Sequence, residues 1–185
     1  YILRDPFFSS AYSRYGSEEK LFEAGSFNDG LDEMSSNSEL ADPNWLTTPF
    51  HKIRKQIDGL SVEDKKKLET QPAVVLLSTG SFSPIHKAHM RMMDIAREEY
   101  AKRGDVVLGG YLSLSHDGYV STKYGGNASL SIDHRIKLCE EAVADSDWLM
   151  VDTWEGRYNR VPVTYSDVII RLERYLSLHF PEIKI

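Results

Sequence analysis

The sequence is poor in cysteine and in long apolar runs. Cys139 is the single cysteine in 185 residues, so no disulfide can form within the chain, and a reducing, intracellular compartment (the cytoplasm or the nucleus) is expected. No run of apolar residues approaches the roughly 20 that are needed to span a bilayer. Basic residues are outnumbered, with 22 Lys and Arg against 28 Asp and Glu, a balance unlike that of a nucleic-acid-binding protein. We therefore expect neither a membrane nor a nucleic acid as a partner.

Regular apolar spacing is absent from residues 1–50, which are instead rich in Ser, Asn, Gly, Asp and Pro. We predict that residues 1–70 form a largely irregular N-terminal extension with two short helices, one over residues 52–59 and one from a capping box at Ser61 to Leu68. The composition of this extension fits a regulatory arm, a disordered leader or a contact in a homo-oligomer, and it does not choose among them.

From residue 73 onward, predicted strands and helices alternate. Apolar runs predict strands at residues 74–78, 105–112 and 148–151, and apolar residues at helical spacing predict helices at about 87–103 and 132–145. A last helix is expected to begin at a Ser166 cap, and residues 183–185 are typical of the start of a fourth strand. This order predicts an α/β fold over residues 71–185: a Rossmann-like, doubly wound parallel sheet that is incomplete at its C-terminal end.

The segment after the first predicted strand reads G-S-F-S-P-I-H-K-A-H, from Gly80 to His89. Ligands of doubly wound sheets bind beyond the carboxyl ends of the strands, so this turn is the expected site. Gly80 has no side chain to keep a ligand from the backbone, and His86 and His89 share one face of the first helical turn. Two imidazoles beside the free N–H groups of a helix N-terminus predict a phosphate site. The sequence has neither a P-loop nor the dinucleotide motif G-x-G-x-x-G.

Three stretches of the sequence carry a family resemblance: V-V-L-L-S-T-G-S-F-S-P-I-H-K-A-H-M-R-M (74–92), S-H-D-G-Y (115–119) and S-D-W-L-M-V-D-T-W-E (146–155). They resemble the nucleotidyltransferase superfamily with its G-x-F-x-P-x-[HT]-x-x-H signature, and within it the nicotinamide/nicotinate mononucleotide adenylyltransferases of eukaryotic type. The resemblance implies an enzyme of NAD biosynthesis that joins ATP to nicotinamide or nicotinate mononucleotide and releases pyrophosphate, usually with Mg²⁺.

The resemblance also implies roles for the residues of the first loop. His86 and His89 would hold the ATP phosphate oxygens through the reaction and are the expected catalytic residues. Gly80 and Ser81 would contact the mononucleotide through the backbone, and Phe82 would pack under the loop.

Further along the chain the resemblance gives four more substrate-binding candidates. Lys123 would reach the ATP phosphates, Trp154 and Glu155 match a W-E pair of the family, and Thr164 falls where the family has a Thr near the pyridine ring. From its place after a buried strand, Trp154 is expected to be a core residue. His134 and Arg135 match an H-R pair, for which a structural role at the start of a helix is expected.

Two departures from the family pattern leave other functions open. The family has an aromatic residue where this sequence has Val161, which favours a nucleotidyltransferase with another phosphorylated acceptor. The later motifs of the family are absent from the 185 residues. Together with the long extension, this absence favours a non-catalytic module that senses a pyridine nucleotide. We expect a further segment of a longer protein, or a second chain, to complete the sheet.

Overall fold

The computed structural model describes residues 48–124, 130–157 and 163–185. The predictions made for residues 1–47 and for Val161 fall outside these ranges.

Three parallel strands form the described sheet, in the order β1-β2-β3. The strands are β1 (Val74–Gly80), β2 (Val107–Leu114) and β3 (Leu149–Asp152). Both β1 and β2 continue two residues beyond the predicted ends, because their last residues include Ser, Thr and Gly and therefore lie outside the apolar runs used for prediction. The parallel arrangement itself is confirmed.

The described helices are α1 (His51–Asp58), α2 (Val62–Leu68), α3 (Lys87–Lys102), α4 (Asp117–Tyr124), α5 (Ile132–Ala142), α6 (Trp154–Arg157) and α7 (Tyr165–His179). The sequence had predicted α1, α2, α3, α5 and α7, although it extended α5 three residues too far. It missed α4 and α6, because α4 has no clear apolar stripe and α6 is a single turn. No helix among the described residues combines the length and the apolar character that crossing a membrane requires.

The sheet separates two layers of apolar side chains. Tyr111 and Leu112 are neighbours on β2 and both are fully buried, but they face opposite sides of the sheet, as successive strand residues do. The Leu112 side packs against α3 and α5, and the Tyr111 side packs against α1 and α7. Helices on both faces of a parallel sheet confirm the predicted Rossmann-like α/β class.

The segment before β1 contributes directly to this core. Ile53 of α1 is fully buried, and Lys52 donates from Nζ to the carbonyl oxygens of Val143 at 2.9 Å and Leu149 at 2.8 Å. The position of α1 against the sheet is therefore fixed by both apolar and polar contacts. Residues 48–58 therefore share the core of the sheet. The division into an extension (1–70) and a domain (71–185) stays a prediction.

The predicted cap of the last helix was wrong by two residues. Thr164, and not Ser166, is the N-cap of α7: its side chain accepts from the Asp167 N–H at 3.3 Å, and Asp167 Oδ2 accepts from the Thr164 N–H at 2.8 Å. This reciprocal pair is a capping box, which satisfies two N–H groups, whereas Ser166 lies inside the first turn.

The last residues of the chain lie beside β1. Residues 183–185 do not form the predicted strand, but the Lys184 carbonyl accepts from the Ala73 N–H at 2.7 Å. The next residue, Val74, donates to Val106 on the β2 side at 2.9 Å. Successive N–H groups of an extended chain point to opposite edges, so Lys184 lies on the edge of β1 that faces away from β2.

Candidate functional site

Residues that follow the three strands meet at one edge of the sheet. The β1 loop (residues 81–86) follows β1, Ser115 follows β2, and Trp154 and Glu155 follow β3. The Ser115 N–H donates to the Gly80 carbonyl at 3.0 Å and joins the first two of these segments. Because ligands of open α/β sheets bind beyond the carboxyl ends of the strands, this edge is the candidate site.

The β1 loop is held in a tight conformation by Phe82. The side chain of Phe82 is 3% exposed and folds back under the end of β1, where a Cβ placed on Gly80 would lie 3.2 Å from Phe82 Cζ. The φ angle of Phe82 is 42°, in the left-handed region, which costs a residue other than glycine about 1–3 kcal/mol. Packing under the loop, which the sequence predicted for this residue, therefore holds a backbone shape that the loop would not adopt alone.

His86 and His89 form a stacked pair at the start of α3. Their ring centroids are 3.7 Å apart with an interplanar angle of 28°, and the edge of Phe82 contacts His89 at a centroid distance of 5.1 Å. His89 Nδ1 accepts from the His86 backbone N–H at 3.2 Å. The tautomer assigned from this hydrogen bond carries its proton on Nε2 when the ring is neutral.

The electrostatics of this pair favour an anion. Burial lowers the pKa of His89, and the neighbouring His86 lowers it further, so the neutral ring with its Nε2–H donor is the favoured form of His89. At the start of α3 the His89 N–H donates to the His86 carbonyl at 3.0 Å, and the helix dipole adds positive potential there. Imidazole and backbone donors at a helix N-terminus can hold a phosphate group.

Arg135 links the β1 loop to its surroundings. Its guanidinium is fully buried and donates to the carbonyl oxygens of Ser81 at 2.7 Å and Ser115 at 2.8 Å, and to Asp117 Oδ1 at 2.6 Å. Its Nε donates to the Leu130 carbonyl at 3.2 Å. The sequence predicted only a structural role at the start of a helix, whereas Arg135 also holds the β1 loop, the segment after β2 and the start of α4. The H-R pair was visible in the sequence, but the partners that Arg135 joins are far from it along the chain.

Glu155 is a buried carboxyl group at the end of β3. It is 7% exposed, and burial raises its pKa to about 7, although hydrogen bonds from the Ser115 hydroxyl and the His116 backbone favour the charged form. Its Oε2 atom is buried and has no hydrogen-bond partner among the described residues. Trp154, next to it, is a core residue as expected, with the Arg171 guanidinium 5.2 Å from its ring centroid.

The remaining two candidates lie on α4 and at the N-cap of α7. Lys123 is exposed on the last turn of α4, the helix that begins at Asp117 and is therefore attached to Arg135. The Thr164 hydroxyl donates to Asp167 Oδ2 at 2.6 Å as part of the α7 cap, so its proton is engaged by the helix. The site candidates Gly80, Ser81, Phe82, His86 and His89 thus run from the end of β1 through the β1 loop into the first turn of α3, and Glu155 is joined to the end of β1 through Ser115.

A buried polar cluster that the sequence did not predict fixes the end of β3. Asp152 is 0% exposed and forms an ion pair with Arg171 Nη1 at 3.1 Å. It also accepts from the Thr48 hydroxyl at 2.6 Å and from the Ser113 hydroxyl at 3.3 Å. No sequence pattern joins residues 48, 113, 152 and 171, since the fold alone brings them together.

A resident metal ion would need several His, Cys, Asp or Glu side chains close together. Within residues 48–124, 130–157 and 163–185, no group of three or more His, Cys, Asp or Glu is placed to hold a metal ion. These residues therefore do not fit a resident metal site.

Comparison with known proteins identifies relatives of the chain. The family model described as Cytidylyltransferase-like matches residues 77–178, which is more than half of the chain. The chain is 36% identical over 132 residues to a nicotinamide/nicotinic acid mononucleotide adenylyltransferase of Arabidopsis thaliana, an alignment that covers 70% of this chain and 50% of that protein. A protein of the same description from Oryza sativa subsp. japonica is 37% identical over 120 residues, or 65% of this chain and 46% of that protein.

A vertebrate relative matches a shorter stretch more closely. The nicotinamide/nicotinic acid mononucleotide adenylyltransferase 2 of Xenopus tropicalis is 42% identical over 87 residues, or 46% of this chain and 27% of that protein. The chain therefore spans half or less of the length of these curated relatives. The resemblance drawn from the sequence motifs is confirmed by these relatives and by the matching family model.

Proposed function

Since the chain belongs to the cytidylyltransferase-like family, we propose that it is part of an adenylyltransferase that joins ATP to nicotinamide or nicotinate mononucleotide. The products would be NAD, or its deamido form, and pyrophosphate. The observation that carries the proposal is the stacked His86–His89 pair at the N-terminus of α3, where the β1 loop ends.

The proposed reaction is an in-line substitution at the α-phosphorus of ATP. A phosphate oxygen of the mononucleotide forms a new P–O bond there, the bond to the β-phosphate oxygen breaks, and the electron pair leaves with pyrophosphate. The attacking phosphate is already ionised, so no general base is required. Catalysis then depends on alignment of the two substrates and on stabilisation of negative charge.

His89 and His86 are placed for this stabilisation. His89 would donate from Nε2 to an ATP phosphate oxygen, because its Nδ1 is already held by the His86 N–H. His86 is exposed and stacked on His89, so it would contact the same phosphates from the solvent side. Lys123, at the end of α4, would add a positive charge nearby.

The mononucleotide would occupy the β1 loop. Gly80 and Ser81 would contact it through the backbone, and Phe82 would support the loop from below. Glu155 and Trp154 would border the pocket at the end of β3. Thr164 would act through the second lone pair of its hydroxyl, because the proton is donated to Asp167.

ATP is expected to enter with a divalent cation on its phosphates, and Mg²⁺ is the proposed one. The described residues do not fit a site that would hold this ion by themselves, so we derive no step through it.

A further segment of the protein, or a second chain, would complete the sheet next to β1. Two observations support this proposal: the chain spans about half of its plant relatives, and the outer edge of β1 has Lys184 beside it as a hydrogen-bond partner of Ala73. An exposed edge is unfavourable for a parallel sheet, which is normally covered. The experiments below therefore use the full-length protein that contains this chain.

The test measures dinucleotide formation from ATP and each mononucleotide by the full-length protein. His89→Ala should lower kcat about 100-fold or more, the usual effect of removing one donor that stabilises developing charge. His134→Ala is the matched control, because His134 is an exposed histidine whose ring is hydrogen-bonded to its neighbour Ser131 at 2.8 Å. Equal turnover by the His89 variant and the parent would contradict the proposed role, and binding without turnover in the parent would indicate a sensor.

A further inference from the structure

We propose that Arg135 is a positioning residue for the reaction, which sets the orientation of the Ser81–Phe82 peptide for the mononucleotide. This inference rests on the proposed function of the β1 loop. Arg135 is fully buried, so it would act only through the backbone that it holds.

The guanidinium of Arg135 joins four segments of the chain. Its three nitrogens donate to four acceptors, and these belong to the β1 loop, the segment after β2, the start of α4 and the residue before the α5 cap. A planar guanidinium has donors in fixed directions, so satisfying several acceptors together leaves one orientation. The shortest bond to a carbonyl oxygen, 2.7 Å, is the one to Ser81.

Because the peptide bond is planar, the contact between Arg135 and the Ser81 carbonyl also determines where the Phe82 N–H points. The C=O and N–H groups of a trans peptide point in opposite directions, so drawing the Ser81 carbonyl toward Arg135 turns the Phe82 N–H away from the core. No acceptor among the described residues takes that N–H. The unusual φ of 42° at Phe82 places the same peptide in a conformation that needs external support. Arg135 supplies that support and leaves a backbone donor facing the ligand edge.

Asp117 fixes the other end of the arrangement. Its Oδ1 accepts from Arg135 at 2.6 Å, and its Oδ2 accepts from the Ile132 N–H at the start of α5 at 3.0 Å. A buried guanidinium needs a charged partner, and this carboxylate provides it while remaining 40% exposed. Arg135 is therefore held on both sides and cannot turn away from Ser81 without losing its ion pair.

The test compares Arg135→Lys with Cys139→Ala in the full-length protein. Lysine keeps the positive charge but concentrates its three donors at one nitrogen, so it cannot reach Ser81, Ser115 and Asp117 together. Cys139 is the matched control, since it is buried on the same helix one turn later, and its replacement weakens the apolar cluster that includes Phe82 while every donor of Arg135 stays in place. We measure KM for the mononucleotide, KM for ATP, kcat, and amide hydrogen exchange of a peptide covering residues 79–85.

The expected result for Arg135→Lys is a KM for the mononucleotide raised tenfold or more, a KM for ATP changed by less than threefold, and tenfold faster exchange in the loop peptide. If the role is only structural, both variants will lose activity in proportion to their folded fraction with both KM values unchanged, and that result overturns the proposal. If the parent forms no dinucleotide, the proposed function fails and exchange alone decides: faster exchange than in Cys139→Ala supports the positioning role, and equal exchange refutes it.

Asp117→Asn provides a second variant in case Arg135→Lys does not fold. It leaves every donor of Arg135 in place, removes the negative charge that holds the guanidinium, and turns one of the two acceptor oxygens of Asp117 into an N–H donor. We expect smaller changes of the same kind as in Arg135→Lys: the KM for the mononucleotide is raised about threefold, and the amides of the loop peptide exchange faster than in Cys139→Ala. A loop that exchanges at the control rate would overturn the inference.

Discussion

Replacing Glu155 by Gln should change how the free energy of unfolding depends on pH. The Glu155 carboxyl group is 7% exposed, and burial raises its pKa from 4.5 to about 7 in the folded protein. In the unfolded chain the group returns to its ordinary pKa. Between these two values the folded protein keeps a proton that the unfolded chain releases, so ionisation of Glu155 favours unfolding.

The size of the effect follows from the two pKa values. A difference of about 2.5 units, from 4.5 to about 7, corresponds to about 3 kcal/mol at 1.36 kcal/mol per unit. The sign follows from the raised pKa: the stabilising contribution of protonated Glu155 is fully present below pH 4.5 and is lost as the pH rises through about 7. Above that pH Glu155 is ionised in both states, and the stabilisation that its proton gave the folded protein is fully lost.

The assay is urea unfolding of the parent and of Glu155→Gln from pH 5 to pH 8. The free energy of unfolding of the parent minus that of the variant should fall by about 2–3 kcal/mol over this range. Subtraction removes the titration of all other groups, and the cost of a buried amide adds only a constant. Glu173→Gln, at an exposed position on α7, is the matched control for replacing a glutamate by glutamine. A flat difference for Glu155→Gln would refute the assignment of a raised pKa to this group.

Three further predictions test the core around the site. Asp152→Asn removes the carboxylate that pairs with buried Arg171 and should destabilise the protein by about 3–5 kcal/mol in urea unfolding; a loss below about 1 kcal/mol would contradict the role of this ion pair. Cys139 is buried with its pKa raised to about 12, so a thiol reagent should label the native protein far more slowly than the protein in urea, and equal rates would contradict its burial. Gly110→Ala places a Cβ 2.6 Å from Trp148 Cζ3 and should cost about 1–3 kcal/mol, whereas an unchanged urea midpoint would show that β2 has room there.

The sequence predicted the features that depend on local pattern. The buried strands were visible as apolar runs, and the His86–His89 pair was visible as a spacing at the start of a helix. The function of the β1 loop was inferred from a motif in which all the important residues are within ten positions of one another. Local interactions produce local patterns, and these can be recognised without the fold.

The features that the sequence did not predict depend on contacts between distant residues. Arg135 reaches Ser81 across 54 positions, and Thr48 reaches Asp152 across 104. Thr164 was assigned to a ligand and Ser166 to the cap, because either residue type can cap a helix and only the backbone geometry distinguishes them. Similarly, the burial that raises the pKa of Glu155 comes from the packing of α6 against the end of the sheet.

The most direct test of the central claim follows the α-phosphorus of ATP. The full-length protein is incubated with nicotinamide mononucleotide and ATP labelled with ³²P at the α-position, and the products are separated. The proposed adenylyl transfer predicts that the label appears in the dinucleotide, in equal amount to unlabelled pyrophosphate, and that His89→Ala slows its transfer about 100-fold or more. Label that remains in ATP or appears in AMP, with no labelled dinucleotide, would contradict the account.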